Sequence, residues 1–221
     1  MQQCIIFDMD GVIIDSEPIH QSCEKSIFQL LGISISDDIL SSFTGCTDES
    51  MWSQITNMYR LSINIPEIIE TKKTFYLKCL KEKTIFPIAG VVELLTNLFN
   101  NKFFIALATS APHEQIDYIL NTFNIKHFFY SITSGEDVSM GKPHPEIFLT
   151  AAKSVGIEPK SCIVIEDSHN GIIAAKNAGM KCIAYKNPNS GNQDLSKADM
   201  TITSFEEISL DLLKNGLSIP F

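Results

Sequence analysis

Positive charge is scarce in this chain: 17 Lys and Arg residues stand against 26 Asp and Glu, a formal net charge of −9 over 221 residues. Counterion release from a nucleic-acid backbone needs clustered cations, so this balance excludes a nucleic-acid surface and leaves room for one local basic site holding a small anion. Metal-site cysteine spacing is missing as well. Cys4, Cys23, Cys46, Cys79, Cys162 and Cys182 are scattered, with no C-x-x-C pair and no histidine companions. Several lie in apolar runs such as Cys4-Ile5-Ile6-Phe7, where a reduced thiol acts as a small hydrophobe, which points to a reducing, cytoplasmic setting. No uninterrupted apolar stretch approaches a membrane span, so no membrane partner is expected. Met1-Gln2-Gln3 lacks the build of a leader peptide. There is no internal repeat and no low-complexity segment.

What the chain has is apolar residue, 44% of the total with only 19% charged, enough for a buried core in a soluble globular protein. Short Ile-, Val- and Phe-rich runs alternate with helical patterns, the signature of a doubly wound parallel α/β sheet. Strands are predicted over 4–7, 103–108, 129–133, 162–165, 182–185 and 200–202. Helices are predicted over 88–100, 113–123, 145–155 and 170–178, with Gly179 stopping the last. The stretch from Ser16 to Lys83 breaks the alternation. It carries only helical patterns: Pro18 at a helix start, then Ile19, Cys23, Ile27, Leu30 and Leu31 along one face until Gly32, and further helices near 49–59 and 66–80. The expected organisation is a core of residues 1–15 and 84–221, with an all-helical domain, 16–83, inserted after the first strand.

Four polar clusters directly follow four apolar strands, and the carboxyl ends of such strands are where doubly wound sheets bind ligands. In Asp8-Met9-Asp10-Gly11, two carboxylates one residue apart repel unless a cation or hydrogen bonds stabilise them. Asp8 can attack phosphorus as an oxygen nucleophile, and Asp10 can give a proton to a leaving oxygen and take one from water. An ordinary Asp-Gly turn is the plain alternative. Thr109 and Ser110 end the second strand with hydroxyls that could donate to phosphate oxygens or cap the next helix. Lys142, between Gly141 and Pro143, has a restrained backbone and could offset both Asp8 and a phosphoryl group; His144 reads as a loop residue. Glu166 and Asp167 offer the hard oxygens that suit magnesium, or the acidic start that suits a helix.

Together, Phe7-Asp8-Met9-Asp10-Gly11-Val12, Thr109-Ser110, Gly141-Lys142-Pro143 and Glu166-Asp167-Ser168, with Gly171, Ala174, Ala175, Ala178 and Gly179 following, resemble the haloacid dehalogenase-like superfamily, in its phosphatase and β-phosphoglucomutase branch. The resemblance implies Asp8 as nucleophile and metal ligand, and Asp10 as acid–base group binding metal through its carbonyl. It implies Thr109, Ser110 and Lys142 as phosphate ligands, with Asp167 and Glu166 completing a Mg2+ site. It makes the insertion a mobile cap, with His20, Gly45 and Lys72 as candidate substrate residues. The founding dehalogenases lack the second aspartate, so Asp10 speaks against dehalogenation.

The expected function is therefore a magnesium-dependent phosphatase acting, as a monomer, on a small phosphorylated metabolite such as a sugar phosphate. A β-phosphoglucomutase-like phosphomutase is the alternative. Its relatives carry an arginine near the position of Asp48, where an acid would repel a second phosphate. A non-enzymatic phospho-acceptor module, as in receiver domains, would be about half this length and would lack the insertion.

Overall fold

The structure, a computed structural model, describes residues 3–41, 43 and 48–217. It divides into two compact units: Met1–Asp15, Phe86–Pro188 and Gln193–Phe221 form the first; Ser16–Ile85 and Asn189–Asn192 form the second.

Six strands, β1 (Cys4–Phe7), β2 (Phe104–Thr109), β3 (Ser131–Ser134), β4 (Cys162–Glu166), β5 (Lys181–Tyr185) and β6 (Met200–Ile202), build the first unit's sheet. Every pairing is parallel, in the order β3-β2-β1-β4-β5-β6. The chain steps outward from β1 through β2 to β3, then returns to β1's other side for β4, so the order reverses at β1. In doubly wound sheets ligands bind at such a reversal, outside the strands' carboxyl ends. Phe7 pairs with Leu107 on one side and Ile165 on the other, which sets Asp8, Ala108 and Glu166 at one level just beyond.

The second unit's helices are α1 (Glu17–Leu30), α2 (Asp37–Ser41), α3 (Asp48–Tyr59) and α4 (Ile65–Glu82). The sheet's helices are α5 (Val91–Asn100), α6 (His113–Thr122), α7 (Glu146–Ser154), α8 (His169–Asn177) and α9 (Leu210–Lys214). Both faces of the central strands are covered, which is why their sequences run apolar without alternation. On one face the strand residues are small, Cys4, Ala106, Ala108, Cys182 and Ala184 among them, so that α7 and α8 pack close through Phe148, Ala151, Ala174 and Ala175.

In the second unit the buried stripe of α1 is Ile19, Cys23, Ile27 and Phe28, and Phe28 meets Trp52 of α3 at 5.2 Å between ring centroids. Leu30, expected in that stripe, is 69% exposed at the last position of α1. Other boundaries shift for local reasons. The third strand begins at Ser131, two residues after its expected start, because Lys126–Phe128 form a 3-10 turn and the Phe129 ring packs edge-on against Phe7. The helix expected from Ile88 begins at Val91. The Ile88 N–H donates instead to the Ile13 carbonyl at 2.8 Å, and Gly90 turns the chain at φ 84°. Among the described residues, no helix is long and apolar enough to cross a membrane.

Candidate active site

Asp8 leaves β1 with its backbone N–H bonded to the Ile165 carbonyl at 3.0 Å, so the sheet ladder itself carries the chain into the site. The next residues wind tightly: Ile13 N–H reaches the Met9 carbonyl at 2.8 Å and Gly11 N–H the Ile14 carbonyl at 2.8 Å. Gly11 sits at φ 73°, and the Asp167 carboxylate lies against its Cα where any Cβ would stand. Only glycine satisfies both demands.

The Lys142 ammonium lies between two acids, donating to Asp8 Oδ1 at 2.7 Å and Glu166 Oε1 at 2.8 Å, with a weaker contact to the Ala108 carbonyl at 3.3 Å. The three side chains are 8% exposed or less. The ammonium also stands 5.0 Å from the Phe148 ring centroid. Burial alone would depress the lysine, but Asp8 and then Glu166 lift it above the ordinary range, so it stays charged. Burial pushes the Asp8 carboxyl up to about 7; Lys142 opposes this, while Glu166 and Asp10 add to it.

The two acids after β4 are differently engaged. Glu166 Oε2 accepts from the backbone N–H groups of Asp167 (2.8 Å) and Ser168 (2.7 Å) and from the Ser168 hydroxyl (2.9 Å). With Lys142 on its other oxygen, its capacity is largely taken. Gly171 makes this possible, because a Cβ there would overlap the Glu166 carboxylate. Ser168 caps α8 by accepting from Gly171 N–H, so both acids precede the helix.

Asp8, Glu166 and Asp167 can each bring an oxygen within 4.8 Å of the others. Asp10 is close enough to push the Asp8 carboxyl up further, so acids outnumber the one lysine among them, and hard oxygen ligands in net negative surroundings fit Mg2+. Of the three, Glu166 carries the most hydrogen bonds.

Thr109 is buried at the end of β2 and its hydroxyl accepts from Ala111 N–H at 3.2 Å, while Ser110 is exposed. Neither caps α6, whose first flanking residue is Pro112. His144 accepts from Glu146 N–H through Nδ1, as a loop residue would.

In the second unit His20 stacks on Tyr76 at 4.1 Å between centroids. Burial, with the Lys72 charge adding, lowers its pKa to about 3, so the ring is neutral. Lys72 is bonded to the buried Glu24 at 2.6 Å and to the partly exposed Asp48, so it is held in an ion cluster rather than lying on a solvated helix face. Gly45 lies outside the described residues. One residue of the first unit carried no signal in the sequence: Asn187, in what reads as an ordinary Asn-Pro loop, donates its amide to the Gly11 carbonyl at 3.0 Å.

A sequence model of haloacid dehalogenase-like hydrolases matches residues 5–185. The chain belongs to that family. Hexitol phosphatase B of Escherichia coli K12 is 30% identical, over 94% of this chain and 95% of its own. The phosphorylated carbohydrates phosphatase of Thermotoga maritima is 28% identical, over 97% and 100%. Among solved structures, a β-phosphoglucomutase from Clostridium difficile superposes with a TM-score of 0.79 at 28% identity, covering 98% of this chain and 97% of that one. This haloacid dehalogenase-like hydrolase thus shares its fold with both phosphatases and mutases.

Proposed function

We propose that this hydrolase is a magnesium-dependent phosphatase that cleaves a small phosphomonoester, of a sugar or sugar alcohol, through an aspartyl-phosphate at Asp8. The observation that carries the reading is Lys142, buried and charged between Asp8 and Glu166 at the carboxyl ends of β1, β2 and β4. A fixed cation there aligns the nucleophile and stabilises charge on a transferring phosphoryl group. The sugar class follows the carbohydrate phosphates named for the two relatives.

An Asp8 carboxylate oxygen attacks phosphorus while the bond to the leaving oxygen breaks and Asp10 supplies the proton that oxygen needs. Asp10, now ionised, takes a proton from water; the water oxygen attacks the phosphoryl group, Asp8 is released and inorganic phosphate leaves. Thr109 and Ser110 with Lys142 hold the phosphoryl oxygens. Magnesium, held by Asp8, Asp167 and the Asp10 carbonyl with Glu166 behind, would supply positive charge that offsets the carboxylates and polarises the phosphoryl group.

A mutase needs a further cation for a second phosphate. Lys72 is already committed to Glu24 and Asp48, which favours hydrolysis. The five described cysteines are free, in keeping with a reducing cytoplasm, where we place the enzyme as a monomer.

The test is phosphate release from a panel of hexose and hexitol phosphates with Mg2+ and with chelator. Wild type should be active and metal-dependent, and Asp8→Asn should lose about ten-thousand-fold or more. Equal rates in the two proteins would overturn the nucleophile. Conversion of β-glucose 1-phosphate to glucose 6-phosphate faster than phosphate release would replace the phosphatase by the mutase.

A further inference from the structure

Asn187 is distant in sequence from the Asp8–Asp10 turn yet bonded to it. Its side chain is buried, and its Nδ2 donates to the Gly11 carbonyl at 3.0 Å across 176 residues of sequence. Its own backbone is held: its N–H donates to the Tyr185 carbonyl at 3.0 Å, and Lys186 N–H donates to the Ile202 carbonyl at 2.8 Å, tying the loop to the ends of β5 and β6. Two residues before it, the Tyr185 ring stacks on Phe205 at 4.8 Å. The amide therefore projects from a fixed base.

Its acceptor needs fixing. Gly11 adopts φ 73° and has no side chain to restrain it, so its peptide planes are the softest part of the turn. The Gly11 N–H is fixed by Ile14 and its Cα is abutted by Asp167; the carbonyl is fixed by Asn187. Asp10 is the residue immediately before.

We propose that Asn187 is a positioning residue for Asp10: its amide locks the Gly11 carbonyl and so holds the turn that aims the acid–base carboxylate. This rests on the role given to Asp10 above. A misplaced general acid slows chemistry by about 10–100-fold, and it does so selectively. An alkoxide leaving from a hexitol phosphate requires the proton, whereas nitrophenolate departs without one.

The experiment compares kcat/KM for a hexitol phosphate of the panel and for p-nitrophenyl phosphate in wild type, Asn187→Leu, Asn187→Asp and the reference Asp10→Asn. Asn187→Leu should lose about 10–100-fold on the hexitol phosphate and less than about three-fold on p-nitrophenyl phosphate, with Asp10→Asn showing the same selectivity more strongly. An equal loss on both substrates, or no loss, with Asp10→Asn still selective, overturns the role of Asn187 and leaves Asp10 in place. A non-selective Asp10→Asn overturns the acid–base reading and this inference with it. If Asn187→Leu does not fold, Asn187→Ser, which keeps a donor of shorter reach, is measured for the same two-substrate ratio, and selectivity there decides in the same way.

Discussion

Burial and Lys142 pull the Asp8 carboxyl in opposite directions, and burial prevails in the protein without metal, leaving it near 7. A carboxyl raised from 3.8 contributes stability that is present below its unfolded value and lost as pH climbs through about 7. Asparagine at this position stays neutral throughout. In chelator, therefore, the melting temperature of Asp8→Asn relative to wild type should rise between pH 5 and pH 8, by the equivalent of about 1–3 kcal/mol, or several degrees. Thermal melts at the two pH values check this. A gap that stays constant or narrows would show that Lys142 already keeps Asp8 ionised.

At the scale of the element, the site is made by what each strand hands to the segment after it. After β4, Glu166 turns back to accept from Asp167, Ser168 and Lys142, and α8 can begin so close only because its third residue is Gly171. Gly171→Ala would drive a methyl into the Glu166 carboxylate. The expected cost is about 1–3 kcal/mol, with phosphate release reduced as Lys142 loses its second acceptor. Urea denaturation and steady-state kinetics on the same preparation measure both, and an alanine variant with wild-type stability and rate would refute the packing argument. The buried strands and their polar followers were legible in the sequence because a strand covered on both faces admits almost nothing polar until it ends. Less legible were contacts joining distant segments. Asn187 looks like half of an Asn-Pro turn, and nothing beside it in the sequence points to Gly11, 176 residues away. Lys72, in a charge-rich stretch of helix, likewise meets Glu24 and Asp48 only through three-dimensional placement.

Over the whole molecule, the two units are held together internally by different means. The first has its apolar sheet. The second has, among its described residues, four helices with Lys72 between Glu24 and Asp48; burial would depress that lysine, but the two acids raise it. Lys72→Met would leave Glu24 buried beside an acid without its cation, and should cost about 3–5 kcal/mol. Glu24→Leu combined with Lys72→Met should recover most of it. Calorimetry of the three proteins tests this, and an unaffected single variant would show that the cluster is loosely solvated. The same cluster makes Lys72 a structural group of the second unit.

The junction at which the helical unit begins and ends belongs wholly to the sheet unit. Ile14 bridges to Pro87 in antiparallel fashion, and Ile88 N–H donates to the Ile13 carbonyl, so the outgoing and returning chains are stitched side by side. A stitch of this kind makes the insertion a cassette. The helices beyond Asp15 can therefore change in length or sequence without moving Asp8 or Asp10, because the stitch that holds both ends of the insertion lies in the sheet unit.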